Sequence, residues 1–167
     1  MPAELIPVNL DTRERIEAIV RQIGGKPGVW LDDDKADSGS PFLWYESGWD
    51  AMDELQDKVA DLIRCSFQKF DKALVIRVTQ RHYSWIAFFP WTEITGLDWQ
   101  ARESFEKSIG KHRTQSKIFG IVREFFSSEQ PEDRILMQTP EIQLQLRVPA
   151  MHRNRVQDYL RRLPSFS

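Results

Sequence analysis

The chain has 167 residues, of which 41% are hydrophobic and 29% are charged, a composition typical of a globular protein. At this length we expect one domain spanning residues 1–167, which buries about two-thirds of the surface that the unfolded chain exposes. The formal net charge of −2 argues against a strongly basic nucleic-acid binder and against an acid-rich disordered chain.

An amphipathic helix is predicted near the start of the chain. Asp11 stands at the N-cap position with Glu14 three residues later, and Gly24-Gly25 ends the apolar pattern. Beyond it the sequence predicts a short extended piece at 28–31, an acidic loop at 32–40 and a strand at 42–45.

A second, longer helix is predicted to begin at Ser47 or Asp50 and to run to about Phe70. Apolar side chains recur through this segment at helical spacing, and charged side chains, Arg64 among them, occupy the opposite face. Two strands, 74–79 and 83–89, are then expected as a pair. The second strand is apolar on both faces, which is typical of an interior strand.

Asp98 is expected to cap a third helix that runs to about Ile109, and a fourth amphipathic segment is expected from 116 to 127. The last third of the chain has a clearer pattern. A strand is expected at 134–138, and strict alternation of apolar and polar residues predicts another at 141–148. A closing helix is expected at 150–163.

Hairpin pairs separated by helices predict an α+β domain with a mainly antiparallel sheet and helices packed on it. A second architecture is suggested by the run from Leu74 to Leu97, which includes Pro90-Trp91-Thr92-Glu93-Ile94, and by the terminal strand and helix, Glu141 to Leu163. These segments resemble the strand pairs and closing helix of small bacterial pleckstrin-homology-like domains. The resemblance implies a small barrel with a helical insertion and a C-terminal helix.

The sequence indicates no catalytic, cofactor-binding or metal-binding residues. The three histidines stand apart from one another, and the acids at 32–37 lack the spacing of a calcium loop. No nucleophile elbow or phosphate-binding loop is present. We therefore expect a protein that is not an enzyme, although a site assembled in space from distant residues leaves an enzyme as an alternative.

The tryptophans suggest a binding surface instead. Large rings concentrate in cores and in interfaces, and several of them surround the acidic loop. We expect a regulatory or binding module that contacts a protein partner through an aromatic and acidic surface around residues 30–50. The predicted contact residues are Trp30, Asp33, Asp34, Trp44, Tyr45 and Trp49.

An alternative partner is a nucleic acid or an anionic lipid. Residues 1–70 carry 14 acidic and 8 basic residues, whereas residues 71–167 carry 11 acidic and 15 basic ones. Two basic regions, 107–123 and 147–162, would have to form one continuous stripe for this function.

The cysteine content bears on the compartment. The one cysteine, Cys65, excludes an intramolecular disulfide and is typical of a reducing environment. The chain shows no secretory signal, and no run approaches the ~18 apolar residues of a membrane span. We therefore expect a cytoplasmic protein.

Overall fold

A computed structural model describes residues 3–24, 30–31, 40–58, 62–101, 132–164 and 166. Its centre is one open, eight-stranded antiparallel sheet, which gives an α+β fold as expected from the sequence. The strands are β1 (Ile6–Pro7), β2 (Leu43–Ser47), β3 (Arg64–Lys69), β4 (Ala73–Gln80), β5 (Tyr83–Pro90), β6 (Gly96–Gln100), β7 (Asp133–Gln138) and β8 (Gln143–Val148).

The strands lie in the order β1-β5-β4-β3-β2-β8-β7-β6. Two meanders, β3-β4-β5 and β6-β7-β8, meet where β2 pairs with both β3 and β8. Within the described residues the sheet has two edges, β1 and β6, so it does not close into the small barrel that the pleckstrin-homology resemblance implied. That expectation was wrong because strands 74–89 extend a wide sheet instead of curling back on its other end.

The register defines two faces of this sheet, because directly opposed residues point to the same side. One side, the core face, is almost wholly apolar. Phe67, Ile76 and Ala87 form one of its rows, and Tyr45, Leu146 and Ile135 form another. All six of these residues are buried. The opposite side, the polar face, carries the alternate residues of the same strands.

Three α-helices are described: α1 (Arg13–Ile23), α2 (Asp50–Lys58) and α3 (Arg153–Leu160). The last begins after a turn of 3₁₀-helix, Ala150–His152, close to the start predicted for the closing helix. Met52 of α2 and Val156 and Leu160 of α3 are buried in the core cluster. None of the described helices has the length and apolar character needed to cross a bilayer.

The long second helix was predicted to continue to Phe70, and this was wrong over residues 64–69, whereas residues 59–61 lie outside the described residues. Residues 64–69 form β3, whose six residues all pair with β4. Cys65 and Phe67 lie on the core face, whereas Arg64 lies on the polar face. Their period of two was masked by neighbouring apolar residues that also fit helical spacing, and pairing in the centre of a sheet prevails over that local pattern.

The predicted cap at Asp98 was also wrong, because this residue lies inside β6, opposite Leu136 of β7. Leu97 and Trp99 face the core side, and the chain keeps its extended pairing through Gln100. The remainder of the predicted third helix, the predicted fourth helix and the basic region 107–123 lie outside the described residues.

Candidate arginine–aromatic binding surface

The six residues predicted to contact a partner fall into three groups in the structure. Tyr45 and Trp49 belong to the core, with exposed fractions of 2% and 4%. Trp30 and Trp44 are half-buried, and Asp33 and Asp34 lie outside the described residues. The two core rings therefore cannot present a contact surface in this fold.

Tyr45 has a clear structural role. Its hydroxyl accepts a hydrogen bond from the backbone N–H of Trp49 at 3.1 Å and donates one to Oδ1 of Asp53 at 2.5 Å. Burial, and then the hydrogen bond to Asp53, raise the pKa of Tyr45 above its ordinary value. The hydroxyl thus joins β2 to the first turn of α2 and satisfies a buried backbone donor.

Trp44 lies in a row of residues that crosses the polar face. Reading the register from β4 to β7, its members stand directly opposite one another. Neighbouring side chains in such a row are about 4.5–5.5 Å apart at Cβ, so their charges act on one another. The row is Thr79, Arg64, Trp44, Arg147 and Arg134.

Arg64 stacks on aromatic rings. Its guanidinium carbon lies 4.5 Å from the ring centroid of Phe42 and 5.3 Å from that of Trp44, and these two rings meet edge to face at 4.7 Å. The side chain is exposed, and among the described residues no carboxylate lies within ion-pair distance of it. Stacking holds the guanidinium flat while its in-plane N–H groups stay available for hydrogen bonding.

A second stacked arginine lies diagonally opposite. The guanidinium carbon of Arg77 is 4.5 Å from the ring centroid of Trp30, which itself forms a bridge with Gln68 of β3. Between the two arginines is an open pocket of about 160 Å³. Its lining comprises Ser40, Phe42, Arg64, Cys65, Ser66, Arg77 and Thr79.

We define the arginine–aromatic surface as Trp30, Phe42, Trp44, Arg64 and Arg77. Neither arginine was predicted as a site residue, because the sequence pattern assigns Arg64 to a solvated helix face and Arg77 to the interior of an apolar strand. The signal that could have identified them is the alternation through 64–69, which puts Arg64 opposite Thr79 once β3 pairs with β4.

The basic region 147–162 does not join this surface as a whole. Arg147 lies in the row on the polar face, but Arg153 pairs with the buried carboxylate of Asp133 at 2.6 Å. Arg161 pairs with Asp158, and Arg162 stacks over Tyr159. On the sheet itself, Arg134 forms a bidentate pair with Glu46 at 2.7 and 2.9 Å.

Two features of the described residues bear on catalytic chemistry, the state of the Cys65 thiol and the grouping of metal-binding side chains. The thiol of Cys65 is buried, and burial raises its pKa, which disfavours the reactive thiolate. The described residues contain no group of three or more His, Cys, Asp or Glu side chains that could hold a metal ion. None of the described acidic or histidine side chains lines the pocket between the arginines.

His152 is a buried residue that contacts the arginine–aromatic surface through Phe42. It is 1% exposed, its ring meets that of Phe42 edge to face at 5.0 Å, and its Nδ1 has no hydrogen-bond partner among the described residues. Burial, and then the positive charge of Arg155, lower the pKa of His152. Both causes disfavour the protonated form of the ring in the folded protein.

We expect this histidine to make the fold less stable in mild acid. A lowered pKa in the folded state means that the unfolded chain takes up the proton first, so stability is complete above the ordinary pKa of about 6.5 and is lost as the pH falls below it. Urea unfolding at pH 7.5, 6.5 and 5.5 should show a steeper loss for the wild type than for His152→Gln. His82→Gln, at an exposed turn, should follow the wild type; identical pH profiles for the wild type and His152→Gln would contradict the expectation.

The described residues thus define an α+β protein whose open antiparallel sheet has one apolar face and one face carrying an arginine–aromatic surface. Comparison with protein-family models, with curated proteins and with solved structures found no match to this chain.

Proposed function

We propose that the protein is a non-catalytic module that binds a protein partner through the arginine–aromatic surface. The observation that carries the proposal is the guanidinium of Arg64, which is exposed, stacked on two rings and not ion-paired with any described carboxylate. Arginine and tryptophan are the residues that dominate binding energy at protein interfaces. The stack also limits the rotamer freedom that this arginine would lose on binding.

The charge of Arg64 favours an acidic partner. Its guanidinium is exposed and is not ion-paired with any described carboxylate, so it raises the local positive potential. A carboxylate can accept two parallel N–H bonds from the fixed fork of one guanidinium. The partner segment that fits best is therefore one with Asp or Glu residues beside an apolar residue that contacts Trp44.

A protein partner is favoured over a nucleic acid by the chain's own charge. The sequence pI is about 6.0, whereas a nucleic-acid-binding domain is ordinarily strongly basic. In the C-terminal basic region, Arg153 and Arg161 are engaged by carboxylates, which leaves fewer cations for phosphate contacts. Binding of a nucleic acid in preference to acidic peptides would therefore contradict the proposal.

Replacing Arg64 with glutamate should weaken the binding of acidic peptides. The probe is a fluorescent peptide pool with fixed Glu-Trp-Glu or Glu-Leu-Glu centres and degenerate flanks, measured by anisotropy at 50 mM and 150 mM salt. We expect at least a tenfold weaker affinity for Arg64→Glu, about 1.4 kcal/mol, because a repulsive pair replaces a charge-assisted one. Arg161→Glu makes the same change of charge directly after α3 and should bind like the wild type.

Equal loss in Arg64→Glu and Arg161→Glu would show that net charge alone governs binding and would overturn the placement. If the wild type does not bind the peptide pool, the proposal itself is wrong. Tighter binding of a single-stranded oligonucleotide of mixed sequence, with affinity falling steeply between the two salt concentrations, would also contradict it, since that is the signature of phosphate contacts.

A further inference from the structure

The row of residues that contains Arg64 continues past Thr79 to an edge of the described sheet. Ser84 of β5 stands directly opposite Thr79 of β4. The backbone N–H of Val8 donates a hydrogen bond to the carbonyl oxygen of Ser84 at 2.8 Å, which prolongs the antiparallel pairing of β1 with β5. Val8 therefore lies at the end of the row, on the polar face. From the centre of the sheet to its edge, the row is Trp44, Arg64, Thr79, Ser84 and Val8.

The two ends of this row differ in chemistry from its middle. At the inner end the guanidinium of Arg64 is exposed, and its carbon lies 5.3 Å from the ring centroid of Trp44. At the outer end Val8 is 47% exposed, so part of its apolar side chain is open to a partner. The half-buried residues Thr79 and Ser84, which carry hydroxyls, separate the two ends. The row therefore offers two points of contact, one for an acid and one for an apolar group.

The geometry of the sheet fixes the distance between these two points. Three steps lead from β3 through β4 and β5 to β1, and neighbouring strands are about 4.8 Å apart. Arg64 and Val8 are thus about 14 Å apart along the row, which is the length of about four residues of extended chain at ~3.3 Å per residue. Side chains alternate along an extended chain, so residues four positions apart point to the same side. One extended segment can therefore reach both points at once.

We propose that Arg64 and Val8 together bind one extended segment of the protein partner, which carries a glutamate and, four positions away in either direction, a large apolar side chain. This proposal rests on the protein-binding function above and adds to it the spacing of two contact points. The glutamate neutralises the charge of Arg64, which no described carboxylate does, and its long side chain can follow the guanidinium towards Trp44. The apolar side chain covers Val8. Because the segment crosses the strands instead of running beside one of them, it adds no strand to the sheet.

The test varies the spacing in peptide pools that contain one glutamate and one leucine in both orders, with Gly, Ser and Asn elsewhere. The two residues are three, four or five positions apart, and binding is measured by fluorescence anisotropy. We expect the wild type to bind the four-position pool at least about fivefold more tightly than the other two. At three or five positions the leucine points away from the sheet when the glutamate points towards it.

Val8→Ser should remove the advantage of the four-position pool, because the apolar contact at the outer end is lost. Tyr83→Ser is the matched control: Tyr83 is 69% exposed and precedes Ser84, so its side chain lies on the opposite side of β5. This variant should keep the advantage. A pool with glycine in place of the leucine should bind the wild type and Val8→Ser equally. Thermal unfolding of both variants checks that the fold is intact.

The outcomes separate this proposal from the one on which it rests. If all three spacings bind equally, or if the advantage survives Val8→Ser, the two-point contact is refuted, while a loss of binding in Arg64→Glu still supports the binding module. If Tyr83→Ser removes the advantage as Val8→Ser does, the apolar contact is not confined to the polar face and the proposal is again refuted. If no pool binds, both proposals fail.

Discussion

Gly48→Ala is expected to destabilise the fold by at least about 3 kcal/mol. Gly48 has a φ of 99°, a region that residues with a side chain rarely adopt, and it follows the irregular register between β2 and β8. A Cβ built on it would stand 1.6 Å from the backbone oxygen of Gln143, so β2 or β8 would have to move. Backbone strain of about 1–3 kcal/mol and overpacking of similar size add at this position.

Gly24→Ala is the matched control. Gly24 ends α1 with a φ of 60°, and a Cβ placed on it would meet nothing within 4 Å. With a ψ of 171° this backbone lies in a region that is almost exclusive to glycine, so we expect Gly24→Ala to cost about 1–3 kcal/mol from backbone strain alone. Urea unfolding followed by circular dichroism measures both variants. Equal midpoints for the two would contradict the claim that contact with β8 makes Gly48 indispensable.

Strand positions were predicted best where the sequence has one dominant period. From 141 to 148 every second residue is apolar, and the structure forms β8 with Leu144, Leu146 and Val148 on the core face. A sheet with one buried face enforces this pattern, because a slip of one residue would expose the whole apolar set. The α+β class could be predicted for the same reason.

The helix predicted through residues 64–69 was wrong because the apolar residues of this segment satisfy two periods at once. Ile63, Phe67 and Phe70 fit helical spacing, whereas Ile63, Cys65 and Phe67 fit strand spacing. Only the neighbouring strands resolve the ambiguity, because β4 supplies a pairing partner for every residue of β3 and β3 lies between β2 and β4 in the sheet. That information is not local to the segment.

The candidate site depended on this same segment. Trp44 and Tyr45 are adjacent in sequence, yet one lies on the polar face and the other in the core, so composition alone cannot tell them apart. The sequence indicated aromatic residues near acids, whereas the described structure pairs Trp44 and Trp30 with arginines. Arg64 reaches them only as a strand residue, and the helical assignment therefore concealed the charge of the surface.

Trp44 and Trp49 should respond differently to truncation, Trp49 by losing stability and Trp44 by losing binding. Trp49 is 4% exposed and meets Phe89 edge to face at 5.4 Å, with its carbonyl accepting the N–H groups of Met52 and Asp53 at the start of α2. Trp49→Ala should lower the free energy of unfolding by about 3–5 kcal/mol, since it leaves a cavity in the core. Circular dichroism in urea measures this without relying on tryptophan emission.

Trp44→Ala, at a half-buried position on the polar face, should cost only about 1 kcal/mol, a typical loss for a single substitution. It should nevertheless weaken acidic-peptide binding, because the ring that backs Arg64 is lost. Trp49→Ala, assayed well below its unfolding midpoint, should bind normally. The reverse result, a stable Trp49→Ala that no longer binds, would place the contact surface on the α2 side of the sheet and remove Arg64 from it.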